Sequence, residues 1–122
     1  MKKHIFLAGL LLLLYGCEST TYESIEEPVA IIGKATYKAN VEPIIQANCV
    51  VCHSANGPAS FRPLTTYAEV KDAMQNTLQS NNLLTRIQLQ NGDSGQMPQT
   101  GRMPQEKINA IIQWNKDGLL EN

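Results

Sequence analysis

The chain has 122 residues, 43 % of them hydrophobic and 17 % charged, with a formal net charge of −1. That balance excludes a disordered or fibrous chain and, at this length, allows one small globular domain with appendages. The ten Lys and Arg residues form no basic stripe, which argues against a nucleic-acid partner.

The first sixteen residues have the layout of an export signal. Met1-Lys2-Lys3 is a basic start, and an apolar run of about ten residues follows from Ile5 to Leu14, too short to span a bilayer. Leu14-Tyr15-Gly16-Cys17 then resembles the lipobox of bacterial lipoproteins, which implies acylation of Cys17 as the new N-terminus. An ordinary signal peptide with unmodified Cys17 is the alternative. The predicted division is residues 1–16 as lipoprotein signal peptide, 17–35 as acylated N-terminus and flexible acidic tether, and 36–122 as the folded domain.

The tether is acidic through Glu18, Glu23, Glu26 and Glu27, and like charges extend a chain. Stable anchoring takes two or more acyl chains. Glu18 is not the aspartate that resembles an inner-membrane retention signal, which favours the outer membrane. The expected location is the cell envelope, with the domain in the periplasm or at the cell surface. Val29 to Ile32 either packs on the domain or forms a short extended segment.

In the domain, Tyr37, Val41, Ile44 and Ile45 lie on one helical face, with Asn40 expected as N-cap and Pro43 in the first turns. This helix leads into Cys49-Val50-Val51-Cys52-His53. A Cys-x-x-Cys-His run reads as a covalent haem attachment site: two thiols on one side of a single turn meet the two vinyl groups, and the next residue falls beneath the iron. Cys49 and Cys52 are the expected haem-binding residues and His53 the proximal iron ligand.

Other uses of the motif fare worse. Structural zinc needs four ligands, and the remaining cysteine and histidine, Cys17 and His4, lie at or within the export signal. A thioredoxin-like pair would follow a strand, and no alternating strand precedes Cys49. One lipid and two thioethers would use all three cysteines.

Residues 54–63, with Gly57, Pro58 and Pro63, read as a loop that supplies a carbonyl to the second nitrogen of His53. Phe61 and Leu64 are candidate cavity walls or ordinary core. Thr66-Tyr67-Ala68-Glu69 is a capping box opening a helix to about Leu78, with Tyr67, Val70, Ala73, Met74 and Leu78 on its inner face. Asn82 caps a short helix carrying Leu83, Leu84 and Ile87. Residues 90–102 form an irregular loop, and such loops are usually functional. Pro104 is expected to open the last helix, with Ile108, Ile111, Ile112 and Trp114 buried and Gly118 ending it.

An iron held by His53 has a sixth position to fill. Beyond the signal the sequence has no second histidine, so a methionine thioether is the expected partner. Met74 reads as core. Met97 and Met103 each precede a proline, which favours an extended backbone that projects the side chain from a loop. Met97 is favoured, with Met103 or an open site as alternatives.

Tyr37 to Gly118 resembles a small class-I-type monohaem cytochrome c domain of the kind found in bacterial multidomain and lipoprotein cytochromes. The residues that carry the likeness are the Cys49 to His53 motif, Phe61 to Tyr67, Met97-Pro98, and the helix from Ile108 to Gly118 with Trp114. The resemblance implies an all-α, cytochrome c-like fold of three to five helices around one covalent haem c, with its first and last helices in contact. It also implies that the Met-Pro pair before a glycine and the final helix supplies the distal ligand. Met97 holds that place, and Met103 falls where the pattern has an ordinary apolar residue.

The expected function is that of a membrane-anchored one-electron carrier cycling Fe(III)/Fe(II) with His/Met ligation, not an enzyme, and serving redox protein partners or a respiratory complex. The alternative is a ligand-binding or sensory haem domain with an open sixth site. Without Lys2 and Lys3, eight basic residues face eleven acidic ones, a charge of −3. Arg62, Arg86 and Arg102 are candidate propionate partners, against a solvated-surface role for each.

Overall fold

The computed structural model describes residues 31–122. Among the described residues the chain is mostly helical and forms no strand. The elements are a π-helical turn at Tyr37–Val41, α1 at Glu42–Asn48, α2 at Tyr67–Gln75, a 3-10 turn at Gln79–Asn81, α3 at Leu83–Gln88 and α4 at Gln105–Lys116. The signal segment, Cys17 and the tether as far as residue 30 lie outside the described residues.

The first helix begins earlier than its sequence pattern suggests. Thr36, not Asn40, is the N-cap, its hydroxyl accepting from the Ala39 N–H at 3.4 Å. Asn40 returns the favour, since its Oδ1 accepts from the Thr36 N–H at 2.9 Å. Pro43 explains the π turn that follows: it has no N–H to give to Ala39, so the ladder changes step and the Glu42 N–H reaches five residues back to Tyr37. Regular α geometry resumes at once and carries the chain to Asn48.

The capping box of α2 is complete. Thr66 accepts from the Glu69 N–H at 3.3 Å, and Glu69 Oε2 accepts from the N–H groups of Thr65 and Thr66 at 2.8 and 3.0 Å. The helix stops at Gln75, three residues short of the expected Leu78, because side-chain amides offer its last carbonyls other partners. Asn82 Nδ2 donates to the carbonyls of Met74 and Asn76, and Asn76 Oδ1 accepts from the Leu78 N–H. Leu78 is therefore exposed, not part of the inner face. Asn82 also caps α3 through the Thr85 N–H at 3.1 Å.

Pro104 sits at the N-cap position, one residue outside α4. At the other end Gly118, at φ +96°, closes the helix: its N–H reaches Asn115, and the Leu119 N–H reaches Trp114 at 3.0 Å. This Schellman arrangement turns the chain back over the helix. The tail then pairs with the start of the domain, with Tyr37 and Lys38 N–H groups donating to Leu120 and Glu121 and an isolated bridge between Thr36 and Leu120.

The core forms where the two ends of the domain meet. The π turn packs on α4, as the first-to-last helix expectation requires. Tyr37, Tyr67 and Trp114 pack as a trio of tilted and edge-on rings with centroids 5.4, 5.8 and 6.4 Å apart. Two polar edges of the trio are satisfied by the tail: Trp114 Nε1–H donates to Leu120 and the Tyr67 hydroxyl to Leu119. Around it Ile45, Ile108, Ile111 and Val41 are fully buried, each worth roughly 1.5–3 kcal/mol of transfer free energy. Ile111→Ala should cost about 2–5 kcal/mol in a urea titration, because the π turn and α4 cannot close over the missing methyls.

Glu69 links this packing to pH. Hydrogen bonds from the Thr65 side chain and backbone and from Thr66 hold its carboxyl below the usual range. A depressed carboxylate stabilises the fold above its unfolded pKa, about 4.3, and that contribution is lost as pH falls through the lower folded value. Thermal melts of Glu69→Gln should therefore show a shallower loss of stability below about pH 4 than the parent chain.

Candidate functional site

The end of α1 builds one wall of a large cavity. The Cys49 N–H donates to Ile45 at 2.9 Å, and the Cys49 carbonyl then accepts from both Cys52 and His53 N–H groups at 3.1 and 2.9 Å. This single turn brings Cys49, Cys52 and His53 to the same cavity. Both cysteines are free thiols; Cys49 is buried and Cys52 exposed. Burial, with a smaller contribution from Cys52, pushes the Cys49 thiol up to about 11, so it is protonated at neutral pH.

His53 is oriented by the loop that follows. Its Nδ1 lies 2.7 Å from the Arg62 carbonyl oxygen. A carbonyl only accepts, so Nδ1 carries the proton and Nε2 keeps its lone pair for a ligand. Residues 54–63 were expected to supply this carbonyl, and Arg62 does. The loop is pinned at both flanks, with Ala59 N–H donating to Cys52 and Leu64 N–H to His53, at 3.0 and 2.9 Å.

Gly57 is required by a close approach. A Cβ there would overlap the Cys52 carbonyl oxygen and lie 2.6 Å from its carbon, and these backbone atoms cannot swing away as a side-chain tip would.

The cavity measures about 960 Å3, near the top of the range of roughly 300–1,000 Å3 for sites that enclose a small molecule or cofactor. Its walls include Leu64, Ala73, Leu83 and Ile87, with Val51 and Phe61 exposed. Phe61 is thus wall and not core, whereas Leu64 serves as both.

The three methionines of the domain separate cleanly. Met97 lines the cavity, at a cis Met97–Pro98 peptide. Met74 and Met103 are buried in the core and do not line it. Of the candidate arginines, Arg62 and Arg86 line the cavity and Arg102 does not. Arg86 is already engaged, through Nε to Ser80 and Nη1 to Gly95. Glu69 and Asp72 also face the cavity, which the helix periodicity did not single out.

Among the described residues, no group of three or more His, Cys, Asp or Glu side chains is placed to hold a metal ion unaided, and no helix is long and apolar enough to cross a membrane. The donors that do meet are of another kind: two thiols, an imidazole with Nε2 available, and a thioether, around a largely apolar space. That set fits a covalently held haem, whose macrocycle brings the remaining iron ligands itself. No family model, curated protein or solved structure matches the chain.

Gly57→Ala should destabilise the loop by about 1–3 kcal/mol, the usual cost of overpacking. Chemical denaturation of the apo chain measures it.

Proposed function

We propose that this chain is a c-type monohaem cytochrome, a one-electron carrier in which His53 and Met97 would hold the haem iron. The observation that carries the proposal is the orientation of His53: its Nδ1–H is tied to Arg62 in the same cavity that Cys49, Cys52 and Met97 line. Cys49 and Cys52 would hold the haem as thioethers. Haem c, when bound, supplies an Fe(III)/Fe(II) couple.

The protein's part is to hold and tune that couple. The Arg62 hydrogen bond fixes the imidazole tautomer and raises its basicity as a ligand. A thioether ligand from Met97 would favour the reduced state and raise the potential relative to more basic ligands. Leu64, Leu83 and Ile87 line the cavity and would limit water around the haem. Arg62 lines the cavity without the guanidinium bonds to backbone carbonyls that hold Arg86, and it would pair a haem propionate. No substrate bond is made or broken, so the function is transfer and not catalysis.

The proposal extends to the envelope. Acylation at Cys17 would anchor the chain, with the outer membrane favoured, and the tether from Glu18 would hold the domain off the bilayer toward redox protein partners or a respiratory complex; its end at Ala35 is buried in the core, its N–H donating to Asp117.

Absorbance of the haem-loaded protein tests the ligand set. The ferric wild type should show the weak long-wavelength band of sulfur-ligated haem, and the ferrous form should resist CO. Met97→Ala should abolish the band and admit CO. Met103→Ala should keep the band while costing about 2–5 kcal/mol of stability, as a core truncation does. Loss of the band in Met103→Ala alone would reverse the assignment, and a wild type that binds CO without the band would favour the ligand-sensing alternative.

A further inference from the structure

Met97 belongs to a loop between α3 and α4 that has no helix of its own, and side chains share with a few backbone bonds the work of holding it. Gln96, the residue before it, is the one buried polar residue among the described residues. Its carboxamide is bonded at both ends: Oε1 accepts from the Gly92 N–H at 3.1 Å, and Nε2 donates to Asn91 Oδ1 at 3.2 Å and to the Pro98 carbonyl at 3.0 Å. Gln96 therefore brackets Met97, reaching from the residue before it to the carbonyl of the residue after. Asn91 Oδ1 also accepts from the Arg102 N–H at 2.7 Å, which ties the two ends of the loop together.

Arg86 holds the same loop from outside. Its carbonyl accepts from the Met97 N–H at 3.2 Å, and its Nη1 donates to the Gly95 carbonyl at 2.8 Å while Nε donates to Ser80 at 2.6 Å. Gly95 is at φ +86°, and a Cβ there would stand 2.7 Å from Arg86 Nη1. The guanidinium comes this close only because the position is glycine.

We propose that Gln96 and Arg86 form a polar clamp that positions Met97 as the distal ligand and so closes the iron to small exogenous ligands such as CO. The inference rests on the His/Met reading above. The physical need is clear: methionine has three rotatable bonds and its thioether is a neutral, weak ligand, so the backbone that carries it must supply the position. Both residues act through the Met97 backbone and neither touches the iron, which makes them positioning residues.

Gln96→Glu is the sharpest probe. It preserves size and the acceptor for Gly92, but it removes both N–H donors and sets a carboxylate against the oxygens of Asn91 and Pro98. In the haem-loaded full chain, far below the melting temperature, Gln96→Glu should lose the long-wavelength band and gain CO binding in the ferrous state. The covalent-haem absorbance should stay unchanged, and amide exchange at Met97 should quicken roughly tenfold or more. Arg86→Lys, which keeps the charge but not the fork, should weaken the band in the same direction. Asn91→Asp retains the acceptor for Gln96 and Arg102 and should keep the band.

A purely structural role for Gln96 would lower the melting temperature and leave the band and CO resistance as in the wild type, and that result overturns the clamp. If Gln96→Glu fails to load haem, an unchanged band in Arg86→Lys overturns it equally. A wild type that lacks the band would instead overturn the His/Met reading itself, so the two failures are distinguishable.

Discussion

One hydrogen bond sets the terms for the site. The Arg62 carbonyl can only accept, so it forces the proton of His53 onto Nδ1 and leaves Nε2 as the free donor atom. For that bond to form, the chain must leave His53, turn, and come back within nine residues. Ala59 donating to Cys52 and Leu64 donating to His53 close this excursion, and Gly57 allows it by passing against the Cys52 carbonyl with no side chain. The imidazole orientation follows from this closed loop, and the two thiols are placed by the Cys49–His53 turn before it.

The opposite wall is organised by different physics. The first loop is closed by backbone bonds and a glycine, and the Met97 loop adds to such bonds side-chain amides and a guanidinium. Buried amide groups are costly when unpaired and specific when paired, so such a network favours one loop geometry over its neighbours. The proposed function asks for that property, because a thioether opposite an imidazole must stay in place through both oxidation states.

The packed end of the domain lies outside the cavity lining. Pro43 changes the helical step, and the Tyr37, Tyr67 and Trp114 trio joins the start of the domain to α4. The tail finishes this joint by accepting from Trp114 Nε1 and the Tyr67 hydroxyl, so the last residues are part of the core and not an appendage. This end carries none of the proposed haem ligands. It is the anchor from which α1 delivers Cys49.

Much of this was legible in the residues. The Thr66–Glu69 capping box, the Asn82 cap, the Gly118 stop and the buried stripe of α4 are local patterns, and local hydrogen bonding or periodicity decides them. The Cys-x-x-Cys-His motif likewise sets its own geometry within one turn. Where the expectations missed, a side chain outside the pattern had intervened: Asn82 ended α2 before Leu78, and Thr36, four residues before Asn40, took the first cap. Met97 and Met103 share a local pattern, each a methionine before a proline; the family resemblance favoured Met97, and packing sends it to the cavity and Met103 to the core. Gln96 had no signal at all, since a glutamine in a glycine-rich loop reads as solvated until the loop folds over it. Sequence alone determined which atoms could serve as ligands; tertiary structure decided which of them meet, because burial and long-range hydrogen bonds depend on neighbours that lie far along the chain.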